Sequence, residues 1–348
     1  MGDKDKKEKD LAATARLLEV IRQETPKREL FDDVALKEKI SSLFLDRKSP
    51  FPLSQVKVGL EIAESYCILV SLETNITRSR LLGFRIVKYK KGNYLTGIKT
   101  IMEGITGRYK LVVGINNPSL VIRQIRMPGL SRKEMKEAIF WEAKRHIPYE
   151  MDSVTFDFQV LGRREGVSDI LLVAVPRGIV DKLLNACYGA KLKLHITDVA
   201  PLALMNAYLA NYPIAPNETI VLLNLEDRLG MINIYTEGGT LFNRYLSLPP
   251  VSKEVLKDLN AWNSVLFEIK RALTYYEDQY KPNGFARIVL SGCYGHTDLK
   301  GYLEQEVGLP VEVFNPWHNI QVDKTLLDGK LVEENSPRLA IAVGLALR

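Results

Sequence analysis

The stretch SLVIRQIRMPGLSRKEMKEAIFWEAKRHIPYEMDSVTFDFQVL, residues 119–161, decides how the rest of the chain is read. An apolar strand runs up to Met127-Pro128. Ser131-Arg132-Lys133-Glu134 then has the form of a capping box, in which the serine hydroxyl takes an orphan N–H of the first turn and the glutamate reaches back to the cap. The helix so opened closes before Pro148. It sets Met135, Ala138, Ile139, Glu142, Ala143 and His146 on one mostly apolar stripe at i, i+3, i+4 spacing. Phe140 and Trp141 fall off that stripe, which suits either packing on a neighbouring lobe or a partner surface. Two alternating runs follow, Val154 to Leu161 and Asp169 to Val175. Strand, helix, strand, strand makes a small module with no nucleophile, metal-ligand box or Gly-rich loop of its own.

Outward from this module the chain reads as two lobes. Upstream, VKVGLEIAESYCILVSLE alternates as a hairpin with Ala63-Glu64-Ser65 at its turn. LLGFRIVKY adds a third strand, Thr96 to Thr106 a short helix, and YKLVVGI a buried strand. Downstream, Leu183 to Tyr188, a turn at Gly189 and LKLHITDVAPLALMNAYLANY complete the first lobe with a strand and a helix after Asp198. Pro213 to Asn217 is a linker. TIVLLNLEDRLGMINIYTEGGTLFNRYLSL is again three alternating strands, with Glu226-Asp227 and Gly238-Gly239 at the turns. Two such triplets about 160 residues apart mark an internal duplication. Apolar positions from Ser252 to Tyr280 predict one long helix or two consecutive ones. A buried strand ARIVLSG, a helix Asp298 to Val307, the strand PVEVF and an amphipathic helix Ser336 to Arg348 complete the pattern.

The expected organisation is therefore a first lobe over 53–211, carrying the inserted module at about 116–178, and a second over 212–348 whose last helix packs back on the first. Residues 1–52 read as an extension. It opens with alternating Lys and acid and contains two short amphipathic helices, Leu11 to Arg22 and Asp32 to Leu45.

Composition narrows the function classes. The chain has 348 residues, 46% of them hydrophobic and 26% charged, with a net charge of +6 spread among interleaved acids and bases. Dedicated nucleic-acid binding wants a clustered basic patch, so it is disfavoured. Cys67, Cys187 and Cys293 share no CxxC spacing and are expected to be reduced thiols of an intracellular protein. No run approaches the length of a membrane span, and the N-terminus lacks a signal core. His146, His195, His296 and His318 are scattered without metal-ligand spacing, and no GxSxG is present. No catalytic residue and no metal site are expected.

VIRQIRMP, SRKEMKEAIFWEAKRHIP, VTFDFQVL and DILLVAVPRGIVDKLL, supported by FEIKRALTYYEDQY, RIVLSG, LPVEVFNPW and SPRLAIAVGLALR, resemble the type IV pilus assembly protein PilM family over roughly residues 56–348. That family is actin-like and related to the cell-division protein FtsA. The resemblance implies an α/β, actin-like (ribonuclease-H-like) two-lobed ATPase fold, the module being an SHS2-type insertion. It implies a cytoplasmic protein, peripheral to the inner membrane, that binds the cytoplasmic N-terminal peptide of a PilN-like bitopic protein. A PilO-like protein would be reached through that partner, and pilus motor ATPases are further partners. Type II secretion proteins of the GspL kind share the fold but continue into a membrane span, which this sequence does not show. Arg126, Phe140 and Trp141 are the candidate partner contacts.

ATP with Mg²⁺ is the ligand that the resemblance carries, and it needs two Asp-x-Gly turns. Here the first turn has Glu61 for Asp, Ala63 for Gly, then Glu64 and Ser65, with Ile68 for a basic residue. The second has Asn224 for Asp and Glu226 for Gly, followed by Asp227. The adenosine loop reads Gly292-Cys293 with Gly295, and Glu268, Lys270 and Arg271 on the long helix are better kept. Added carboxylates beside a polyphosphate cost roughly 4 kcal/mol per like-charge pair at contact distance before screening. The expectation is a degenerate site with no bound cofactor and no enzymatic turnover. The alternative is an active ATP-binding switch of pilus assembly or of type II secretion.

Overall fold

The computed structural model describes residues 54–348 except 227, 237–240, 250–261, 294–298, 324 and 326. The expected helices within 1–52, the Gly238-Gly239 turn and the start of the helix from Ser252 lie outside the described residues.

Strands β1 (Gln55–Ile62) and β2 (Tyr66–Thr74) form the first hairpin, with Glu61 opposite Ile68. β3 (Ser79–Lys88) runs antiparallel to β2. Helix α1 (Tyr94–Met102) starts from an Asn93 cap. It ends short of the predicted Thr106 because Gly104 takes φ +78°, a left-handed conformation that stops a helix. The chain crosses over to β4 (Lys110–Ile115), which is parallel to β1 on the side away from β2.

β5 (Val121–Pro128), α2 (Arg132–His146), β6 (Val154–Arg164) and β7 (Val167–Pro176) form the module, a three-stranded sheet of order β5-β7-β6. The capping box is formed: the Ser131 N–H donates to Glu134 at 2.9 Å, and the Glu134 N–H donates to the Ser131 hydroxyl at 3.4 Å. Met135, Ile139 and Ala143 are buried over one sheet face, against Ile170, Leu172 and Ala174. The opposite face sends Leu171 and Val175 into the core of the first lobe. Strand alternation thus joins the module to the body through one side and to its own helix through the other.

Helix α3 (Arg177–Gly189) opens directly after β7, with Val180, Leu183, Ala186 and Cys187 on its buried face. β8 (Ile196–Val199) pairs with β4, and α4 (Ala200–Asn211) follows at once.

The second lobe repeats the plan with β9 (Thr219–Glu226), β10 (Leu229–Thr236), β11 (Leu241–Ser247), α5 (Asn263–Tyr280), β12 (Arg287–Gly292), α6 (Leu299–Val307) and β13 (Val311–Val313). β12 lies parallel to β9 as β4 does to β1, with Asn224 opposite Ser291. Sheet order is β11-β10-β9-β12-β13. The chain then returns to the first lobe: β14 (Ile320–Val322) adds to the free side of β3, which completes the order β14-β3-β2-β1-β4-β8.

After α7 (Gly329–Asn335), a 3-10 turn over Ser336–Leu339 leads into α8 (Ala340–Ala346). The sequence pattern predicts an amphipathic helix here. Instead every residue of α8 is buried, packed among β1, β2, β4 and α4. A Cβ on Gly59 would collide with the Ala342 carbonyl, and one on Gly344 with the Ala203 carbonyl, so both close approaches require glycine.

Candidate functional site

The duplicated hairpins bring the ends of β1 and β9 together between the lobes. Glu61 and Glu226, from first and second lobe, are each only 1% exposed. Glu61 accepts from the Tyr66 hydroxyl at 3.2 Å and from the Asn116 amide at 2.9 Å. Arg338, in the turn before α8, holds Glu226. Its Nε lies 3.1 Å from both carboxylate oxygens and its Nη2 3.1 Å from one of them. The same guanidinium lies 5.5 Å from the Tyr66 ring centroid. The Cys293 thiol adds a hydrogen bond to Glu226.

This geometry sets the protonation of the cleft. Burial pushes the Glu61 carboxyl up to about 7, against hydrogen bonds from Asn116 and Tyr66. Burial also pushes Glu226 up, to about 8, opposed by Arg338 and reinforced by Glu61. Two buried carboxyls face one guanidinium, so the cluster retains a proton near neutrality and titrates as a unit.

Several residues expected at this site have other engagements. Glu226 is not a solvated turn residue; it ends β9 in the interior, because Arg338 supplies the charge its burial requires. Glu64 does not point into the cleft: it is exposed and pairs with Lys91 at 2.6 Å. Ala63 bonds Tyr66 across the hairpin, and its carbonyl accepts from the Tyr89 hydroxyl. The Ser65 carbonyl accepts from the Tyr89 N–H at 2.8 Å. Asn224 donates to the Ser291 hydroxyl at 3.1 Å, inside the sheet.

Gly292, at φ +91°, lies so close to the Leu225 backbone that a Cβ would collide with its carbonyl. Its glycine therefore serves strand packing. On α5, Glu268 is held by Arg244 at 2.7 Å and Arg271 at 3.0 Å, while Lys270 turns to Glu306 at 3.3 Å. Asp227 and Gly295 lie outside the described residues. Beside the hairpin is a pocket of about 130 Å³, lined among others by Ala63, Glu64, Asn116 and Lys182. That is below the roughly 300–1,000 Å³ usual for small-molecule sites. No group of three or more His, Cys, Asp or Glu that could hold a metal is found among the described residues.

Sequence reading missed Arg338, although a signal exists. SPRLAIAVGLALR puts one arginine at the mouth of a wholly apolar run. A cation entering a buried helix needs a buried anion.

A second concavity, of about 260 Å³, lies between the module and the first lobe. One wall is β6 and the other β8, each an edge strand of its own sheet. Residues 155–159 of β6 line the groove with Val173 of β7 and Ile196 of β8, and Phe156 and Phe158 also pack on the apolar clusters under α2. Arg348 and Asp198 also line it, with Nε and carboxylate 3.0 Å apart. Burial raises the Asp198 carboxyl against the pull of Arg348.

Arg126, Phe140 and Trp141 are not among the lining residues. Trp141 is 59% exposed on α2, edge-on to Phe140 with ring centroids 5.6 Å apart, across the module sheet from the groove. Phe140 leans on Phe156 at 6.4 Å. Arg126 is exposed on β5, 3.3 Å from Asp169.

Two sheets of like topology, each a hairpin extended by a parallel crossover strand and meeting over a shared helical core, define an actin-like, two-lobed ATPase fold with an inserted strand-helix-strand-strand module. A family model for the type IV pilus assembly protein PilM matches residues 93–249 and 247–348, and the chain belongs to that family. Among solved structures, a PilM-PilN type IV pilus biogenesis complex aligns with 24% identity over 84% of this chain and 98% of that one, at a TM-score of 0.73. A Bacteroides thetaiotaomicron protein with an actin-like ATPase fold aligns with 10% identity over 84% and 95%, at 0.46. The cytoplasmic domain of EpsL, an inner-membrane component of the type II secretion system of Vibrio cholerae, aligns with 11% identity over 82% and 98%, at 0.43. Among the described residues no helix is long and apolar enough to cross a membrane.

Proposed function

We propose that this PilM-family chain is a cytoplasmic scaffold of the type IV pilus inner-membrane complex. In this reading it holds an extended, largely apolar peptide from the cytoplasmic N-terminus of a PilN-like membrane protein in the groove between β6 and β8. One observation carries the reading: β6 and β8, each an edge strand of its own sheet among the described residues, face one apolar channel. A strand laid along either edge gains main-chain hydrogen bonds, and alternate side chains enter the apolar wall. The matching solved assembly is of a PilM with a PilN. A PilO-like protein joins through that partner, and attachment to the inner membrane is indirect.

The cleft supports a non-enzymatic role. Glu61 and Glu226 stand at its floor with Arg338 already committed to Glu226. A nucleotide polyphosphate would meet two carboxyls and a guanidinium that has a partner, so these residues do not suit ATP with Mg²⁺.

Fluorescence anisotropy with a labelled N-terminal peptide of a PilN-like protein tests the scaffold. Saturable binding is expected, weakened at least roughly tenfold by Val173→Arg, which places a charge in the channel. No binding at high micromolar peptide refutes it. Calorimetric titration with Mg·ATP is expected to show no heat, and low-micromolar affinity would restore the ATP-switch reading.

A further inference from the structure

We infer that Arg338 is an internal clamp: set in a turn between β2 and β12 and fixed by the helix packed on the first lobe, it grips Glu226 of the second and holds the two hairpin ends together without any ligand. This inference concerns the cleft alone and is independent of the peptide groove.

Three observations converge. First, Arg338 has little freedom of its own. Its turn packs between β2 and β12, and the helix it opens is wedged so tightly that Gly59 and Gly344 admit no side chain. The turn is further pinned where the Trp317 indole donates to the Ser336 hydroxyl, and that hydroxyl to the Val332 carbonyl, each at 2.7 Å. Second, the grip is a fork: two guanidinium nitrogens of the largely buried Arg338 on the fully buried Glu226 carboxylate, where a pair is little screened. Third, among the described residues the other groups facing the guanidinium belong to the same junction. Tyr66 and Glu61 face it from the first lobe, and Cys293 from the end of β12. Removing Arg338 leaves two buried carboxyls without their cation, and removing Glu226 breaks the link between the lobes and leaves the guanidinium only Glu61, so the lobes are expected to part locally at the cleft.

Amide hydrogen exchange on the full chain tests this, with Arg338→Gln, Glu226→Gln and the double variant. Each single change is expected to speed exchange at least roughly tenfold in residues 61–66 and 287–293, with α8 unaffected. The double variant is expected to be no faster than the worse single, since both remove one interaction. Singles within about twofold of the parent, or effects that add in the double, overturn the clamp. Faster exchange confined to 340–346 also overturns it, because Arg338 would then serve only its own helix. Should Arg338→Gln fail to fold, Glu226→Gln decides alone, since it leaves α8 intact.

Discussion

Arg338 and Glu226 are 112 positions apart in sequence, yet Nε of the first lies 3.1 Å from both carboxylate oxygens of the second. One belongs to a turn leading into a helix of the first lobe, the other to the last position of a strand in the second. The pair makes the cleft an internal contact between the lobes.

The Glu61 carboxyl gives the cleft a pH signature. Its folded-state value of about 7 lies above the ordinary 4.5, so the folded chain keeps a proton that the unfolded chain has lost. Stability is therefore expected to fall as pH rises from about 5 toward 8, by roughly 2–3 kcal/mol from Glu61 alone. Glu61→Gln keeps an acceptor for Tyr66 and Asn116 while removing its titration. Guanidinium unfolding midpoints across that pH range are expected to slope less steeply in the variant than in the parent, with Glu226, raised to about 8, supplying the remaining slope; equal slopes contradict the assignment.

Gly344→Ala tests how tightly α8 is seated. Its new methyl would meet the Ala203 carbonyl, and backbone on both sides leaves little room for relief. The expected loss is about 3 kcal/mol or more, beyond ordinary overpacking. It would register as a melting temperature several degrees lower. A change under about 1 kcal/mol would mean that α8 can shift on β1.

Ser131→Ala removes half of a formed capping box at the mouth of the module helix. A loss of about 1 kcal/mol is expected, with faster amide exchange in the first turn of α2. Unchanged exchange there would show the cap to be redundant.

Trp141→Ala separates two surfaces of the module. The side chain is largely exposed and lies across the module sheet from the groove. Stability is expected to change by less than about 1 kcal/mol, and affinity for the PilN-like peptide by less than about twofold. Loss of peptide affinity would move the peptide site onto α2. Loss of a different partner, with the peptide still bound, would assign α2 its own contact.

Local chemistry was legible in residues 119–176. The Ser131–Glu134 box, the Met135–Ile139–Ala143 stripe and the alternation through Val154 and Asp169 are all set within a few residues. Backbone geometry and side-chain period therefore locate them without the rest of the chain. The repeated hairpins were legible for the same reason, and with the resemblance they defined the two-lobed fold. Glu226 was misread because an acid beside Asp and Arg reads locally as a turn, whereas its burial depends on a cation 112 positions away. The apolar run after Arg338 looked like one face of a helix because nothing local says that both β1 and α4 will close over it. The groove exists only because β6 and β8, edges of different sheets, come to face each other. Periodicity and capping are properties of neighbouring residues, so they survive in the linear order. Burial, charge compensation and facing edges are properties of surfaces that meet only when the chain has closed over long distances.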